Sequence, residues 1–281
     1  MIDRKKLQNR IMEYSSHLNL DEYKLFNHAK GWKETLRKGR MFFRGPGESY
    51  EMDFKNIDFT GPEVGNQEWR ARLNRFLWLP TCMKEDAAEE DDFFAKVTVD
   101  TINAFYKFRE GIEIPDKEFL WKELGDNTLS ISVRLGHFYG MGWWGTIPFM
   151  RKSIITDEFL RKMYESTLVQ IEFMIEHMTS AGNWRMSQLS CLMFLGYIFE
   201  NEEWLRYGVR GLNEAFHNQV DDCGSHEEHT WSYHNWMTKE FSAFLHLSIG
   251  LPGLGLRIDI EKLIKMWEYS ILAACPDGHP A

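Results

Sequence analysis

Cysteine is scarce in this chain of 281 residues: Cys82, Cys191, Cys223 and Cys275 stand far apart and form no CxxC pair. That spacing excludes a disulfide framework and a zinc ribbon, and it suits a reducing compartment. Positive charge is the minority sign, with 33 Lys and Arg against 42 Asp and Glu and a net charge of −9. Without a basic block, nucleic acid and an anionic membrane are excluded as main partners, although a local cluster of Arg and His can still face an anionic substrate. No apolar run reaches the length of a membrane span, and the opening MIDRKKLQNRIMEYSSHLNL lacks the apolar core of a signal peptide. The expectation is a cytoplasmic protein. Alternation of period two is missing over any useful length, and so is a strict repeat of roughly 34 or 40 residues.

What is present is helical periodicity and aromatic surface. Helices are expected over 3–17, 21–28, 32–39, 66–85, from the acidic stretch 85–94 onward, and once or twice within 117–139 around Gly125. Further helices are expected over 156–178, 184–199, 202–218, about 228–248 and 259–274. Thr156 reads as an N-cap ahead of an apolar stripe through Phe159, Met163, Leu168, Ile171 and Ile175. The Gly- and Pro-rich 40–65 reads as an extended surface segment, and GMGWWGTIPF (140–149) as a loop. This is an all-α chain, too long for a four-helix bundle and better suited to helical hairpins in an irregular, incomplete (α/α) toroid. Residues 1–54 are the expected lead-in and 55–281 the toroid domain. Aromatics make up 15% of the chain, including 11 Trp. Their flat faces can pack a core or stack on sugar rings. Trp143 and Trp144, set between glycines, are candidates to line a cleft, and Asn74, after a buried stripe, is another.

The chemistry concentrates in 224-GSHEEHTWSYHNW-236. A metal site is one reading, since His226 and His229 would share a helix face, with His234 or a glutamate to complete it. The spacing is not HExxH, however, and no second cluster supports it. A plain helix start is another, with Ser225 as cap and Glu228 three residues on as in a capping box. That leaves Tyr233 and His234 unexplained. The third reading is a Tyr/His acid–base site. Breaking the C4–O bond beside a uronic acid requires removal of a C5 proton, which is weakly acidic while the neighbouring carboxylate is ionised. Such a site needs a group to neutralise that carboxylate, plus a base and an acid. A tyrosine serves as both once nearby cations pull its pKa below about 10.

The residues Gly224, Ser225, His226, Glu228, Thr230, Tyr233 and His234 resemble the G-S-H-x-E-x-[ST]-x-x-Y-H signature of the heparinase II/III and alginate lyase superfamily. The segments 182–208, 58–79 and 121–137 are also similar to helices of that family's toroid. The closing PDGHPA is similar to the point where the toroid meets a β-sandwich domain. The resemblance implies an enzyme that cleaves an acidic polysaccharide by β-elimination without a metal or other cofactor, packed against its own C-terminal β-sandwich. It implies Tyr233 as catalytic acid and base, and Asn183 as the residue that neutralises the uronate. His226 and His234 are candidates to shape the cleft or acidify Tyr233. Arg134, Arg185, Trp184, Trp143, Trp144, Asn74 and Glu228 are the substrate-binding candidates. One position departs from the pattern: where several of these families carry a histidine after the Asn, this chain has Trp184, which favours Tyr233 working alone. A glycoside hydrolase on the same architecture, or a non-catalytic carbohydrate-binding domain, are the alternatives.

Overall fold

A computed structural model describes residues 2–18, 32–42, 48–76, 92–136, 142–149 and 153–274. The expected helix at 21–28 and the PDGHPA end lie outside them. The described residues fall into two compact units, one of residues 2–8, 32–42, 48–76, 92–136, 142–149 and 153–177, the other of 9–18 and 178–274.

The first unit holds α2 (Trp32–Arg37), a short antiparallel pair β1 (Arg40–Phe42) and β2 (Ser49–Glu51), then α3 (Gln67–Arg75), α4 (Phe93–Arg109), α5 (Lys117–Leu124) and α6 (Thr128–Leu135). A buried one-turn helix α7 (Gly142–Thr146) and the long α8 (Asp157–Glu176) complete it. The starts follow local chemistry: Asn66, Asp116, Asn127 and Thr156 each accept a backbone N–H of the following turn with the side chain. Two details differ from the sequence reading. The strand pair falls inside the stretch read as extended, too short to show alternation. In α8 the buried face runs through Phe159, Met163, Thr167, Ile171 and Met174, while Leu168 points outward.

The second unit is built on the hairpin of α9 (Gly182–Phe199) and α10 (Glu202–Gln219), followed by α11 (Trp231–Gly250) and α12 (Ile260–Leu272). Residues 9–16 of α1 (Arg4–Ser16) also belong here, where Tyr14 packs its ring 5.0 Å from that of Phe194. Helix α9 is apolar almost all round, with Met186, Leu189, Leu192, Met193, Phe194 and Leu195 fully buried, so it serves as the unit's core. Glycines let α10 approach it closely: a Cβ on Gly196 would sit 2.3 Å from the Leu205 nitrogen, and one on Gly208 2.6 Å from that of Met193. No helix among the described residues is long and apolar enough to cross a membrane.

Candidate functional site

The stretch 220–230 is a turn, not the start of a helix. Val220 pairs with His226 across a single bridge, the Asp221 N–H donates to the Ser225 carbonyl (3.0 Å), and the Glu227 N–H donates to the Gln219 carbonyl (2.8 Å). Helix α11 begins later, capped by Thr230, whose hydroxyl accepts the Tyr233 N–H at 3.4 Å. Ser225 is therefore not a helix cap, and its N–H is taken by the Asp221 carboxylate at 2.7 Å. The expected capping box fails for the same reason: Glu228 turns away from α11 altogether.

Where Glu228 goes is the main finding at the site. Helix α9 opens at Ala181 with no side-chain cap of its own. Its first amides are orphan donors that need acceptors. Glu227 accepts the Gly182 N–H (2.8 Å), and Glu228 accepts the Asn183 N–H (2.6 Å). The same Glu228 carboxylate accepts from the Asn183 side-chain Nδ2, with Oε1 at 2.7 Å and Oε2 at 2.9 Å. Two carboxylates at a helix N-terminus also suit its dipole. Gly182 is needed at the junction, because its φ is +76° and a Cβ would meet Glu228 Oε1 at 2.9 Å.

The histidines do not converge. His226 is fully buried; its Nδ1 accepts the Glu228 backbone N–H (3.3 Å), which leaves the proton on Nε2, 3.2 Å from Gln219 Oε1. His234, also buried, repeats the pattern: Nδ1 accepts the His226 N–H (3.3 Å) and Nε2 faces the Met266 carbonyl (2.9 Å). Burial pulls the His226 pKa down to about 4, against the opposing charge of Glu228, and burial likewise lowers that of His234. Both imidazoles are thus neutral near pH 7 with both ring nitrogens engaged. In this arrangement they brace the turn. His229 is exposed, with a φ of +50°. Among the described residues no group of three or more His, Cys, Asp or Glu is placed to hold a metal.

Tyr233 stands in the first turn of α11 with 42% of its surface exposed, its ring 6.1 Å from that of Trp236. Trp184, next to Asn183, is 38% exposed, and the Arg185 guanidinium lies 5.8 Å from the centre of the Tyr207 ring. Asn183, Glu228, His226, His234 and Tyr233 are all carried by the second unit.

Four substrate-binding expectations are corrected by burial in the first unit. Trp143 and Trp144 have no exposed surface, so they offer no face to a sugar. Trp143 meets Phe76, Phe105 and Tyr106 edge-on, and Trp144 Nε1 donates to Thr167 Oγ1 at 3.0 Å. The glycines around them admit a buried helix where a loop was expected. Asn74 is fully buried, and its Nδ2 donates to the carbonyls of Phe59 and Arg70, both at 3.0 Å. Arg134 is 1% exposed, pairs with Asp126 at 2.9 Å and donates to Gln170 at 2.8 Å. It forms part of the wall of a cleft of about 660 Å³ with Phe105, Tyr106 and Arg109, but its guanidinium is committed to the protein.

With this geometry in place, comparison with known proteins fixes the family. The family model described as Heparinase II/III N-terminus matches residues 8–276, and the chain belongs to that family. A heparin-sulfate lyase of Bacteroides thetaiotaomicron is 23% identical over 198 residues, which is 66% of this chain and 26% of that protein. The solved heparan sulfate lyase of Pedobacter heparinus is 18% identical, with a TM-score of 0.65, covering 90% of this chain and 40% of the other. A solved heparinase III with methylated lysines gives 18% identity and a TM-score of 0.67 over 89% of this chain and 41% of the other. These likenesses show the fold, the all-α incomplete toroid that the resemblance implied. The chain spans well under half the length of each of these relatives.

Proposed function

We propose that this chain is the helical part of a polysaccharide lyase that cleaves a uronic-acid-containing polymer by β-elimination. Asn183 hydrogen-bonds the uronate carboxylate and so favours the enolate-like intermediate. The Tyr233 phenolate takes the C5 proton, the C4–C5 double bond forms as the C4–O bond breaks, and the same phenol protonates the departing O4. Tyr233 ends as it began, and no cofactor takes part. The observation that carries this reading is the contrast within one stretch: both imidazoles have their nitrogens occupied, while the Tyr233 phenol is open to solvent. Trp184 in place of a second base agrees with proton removal and return on one face of the sugar.

A hydrolase would need two free carboxylates flanking the glycosidic bond. Glu227 and Glu228 are instead tied to the amides that open α9. The relatives named above are lyases of heparin or heparan sulfate, so heparan sulfate is the first polymer to test. A further domain of the same protein, completing the cleft, belongs to this proposal and suits the larger size of the solved relatives. The test is ultraviolet absorbance of the new C4=C5 bond when the intact protein meets a panel of uronic polymers. Reducing ends without absorbance would mean hydrolysis, and binding without either product would mean a carbohydrate-binding domain.

A further inference from the structure

The carboxylate of Glu228 makes three contacts with two nitrogen donors of one residue: Asn183 N at 2.6 Å and Asn183 Nδ2 at 2.7 and 2.9 Å. A carboxylate only accepts, so the amide must turn its NH2 group, not its oxygen, toward Glu228. The two oxygens of one carboxylate lie too close together to take one hydrogen each from a nitrogen whose N–H bonds diverge widely. A single N–H therefore serves both oxygens, and the second N–H of Nδ2 points elsewhere. The side chain is only 8% exposed, so little water competes for this arrangement.

We propose that Glu228 is a positioning residue: it fixes the orientation of the Asn183 amide so that the second N–H is held ready for the carboxylate of a uronic acid. This rests on the reading of Asn183 as the uronate's partner, and it removes Glu228 from the groups that touch the sugar. Without a charged acceptor at 228 the amide can turn over, and Oδ1 would then face the incoming anion and repel it. Glu227, whose oxygen takes only the Gly182 backbone N–H, has no such influence on the amide.

The experiment measures binding of a heparan sulfate oligosaccharide and of its carboxyl-reduced form to the intact protein, in wild type, Glu228→Gln and Asn183→Ala. Glu228→Gln keeps a polar side chain of the same length but lets the amide turn. Its Kd for the carboxylate form is expected to rise about tenfold, the loss of one charge-assisted hydrogen bond, with the carboxyl-reduced form unchanged. Equal weakening of both forms would assign Glu228 a merely structural role and overturn the proposal, as would unchanged or tighter binding of the carboxylate form. If Asn183→Ala and wild type bind both forms alike, the role of Asn183 itself fails, and this proposal with it. Should Glu228→Gln not fold, the wild-type protein still decides by NMR of the Asn183 side-chain amide. One Nδ2 proton should lie downfield in the free protein, and the other should move when oligosaccharide is added. Two protons that respond alike would overturn the proposal.

Discussion

Asn183 and Glu228, forty-five positions apart in sequence, share three hydrogen-bond distances of 2.6, 2.7 and 2.9 Å across the start of α9. Glu227 makes a parallel contact with Gly182 but stands exposed. The two glutamates should therefore differ in their effect on folding. Glu228→Ala leaves a nearly buried amide and a backbone N–H without acceptors, a loss of about 1–3 kcal/mol. Glu227→Ala hands the Gly182 N–H to water and should cost less than about 1 kcal/mol. Urea denaturation of the two variants measures the difference, and equal losses would contradict it.

Tyr233→Phe removes one exposed hydroxyl from the first turn of α11 and leaves its Thr230 cap in place. The thermal midpoint should be unchanged. Lyase turnover by the intact protein should fall by about 100-fold or more, the usual contribution of a general acid–base group. Steady-state absorbance assays on wild type and variant test this, and a variant retaining most of its kcat would remove Tyr233 from the chemistry.

Acid should loosen the second unit through His226. In the folded protein burial lowers its pKa to about 4, whereas the unfolded chain binds that proton near the ordinary value of about 6.5. Between those values the unfolded state holds the proton and the folded state does not, so protonation favours unfolding. The stability due to the neutral imidazole is complete above about pH 6.5 and declines toward pH 4, by about 3 kcal/mol at most. His234 titrates in the same direction. Urea midpoints at pH 8, 6, 5 and 4 should trace this decline in wild type, and His226→Gln should flatten it. An unchanged slope in the variant would assign the acid sensitivity elsewhere.

Most of the longer helices were legible from a 3.6-residue period or from a cap: Thr156, Asn127 and Asp116 do what their types suggest. The error at α11 has a physical source. Ser225 and Glu228 match a capping box as well as Thr230 does a simple cap, and only the tertiary pairing of Val220 with His226 decides between them. Asn183 and Glu228 could each be singled out from the sequence, but nothing local links two residues so far apart. The tryptophans at 143 and 144 misled for a related reason. Flanking glycines suggest an exposed loop, yet here Trp143 packs edge-on against Phe76 and Phe105 and Trp144 donates to Thr167.

Arg134 gives the clearest separation between a binding residue and a core residue. Asp126 is 1% exposed and takes Arg134 at 2.9 Å and Arg109 at 2.8 Å, so one carboxylate compensates two guanidinium groups. Burial pulls the Arg109 pKa down to about 10, with Asp126 opposing it and the Arg134 charge adding to it, so Arg109 remains a cation at pH 7. Asp126→Asn strands both charges in a poorly solvated place and should cost about 3–5 kcal/mol. Arg134→Ala should be of similar size, because it also abandons the Asn74 carbonyl and Gln170. A substrate arginine would behave in the opposite way, with ligand affinity lost and folding kept. Denaturation and oligosaccharide binding measured on the same Arg134→Ala preparation therefore settle its role. Loss of stability, with affinity retained by whatever fraction remains folded, is the expected result.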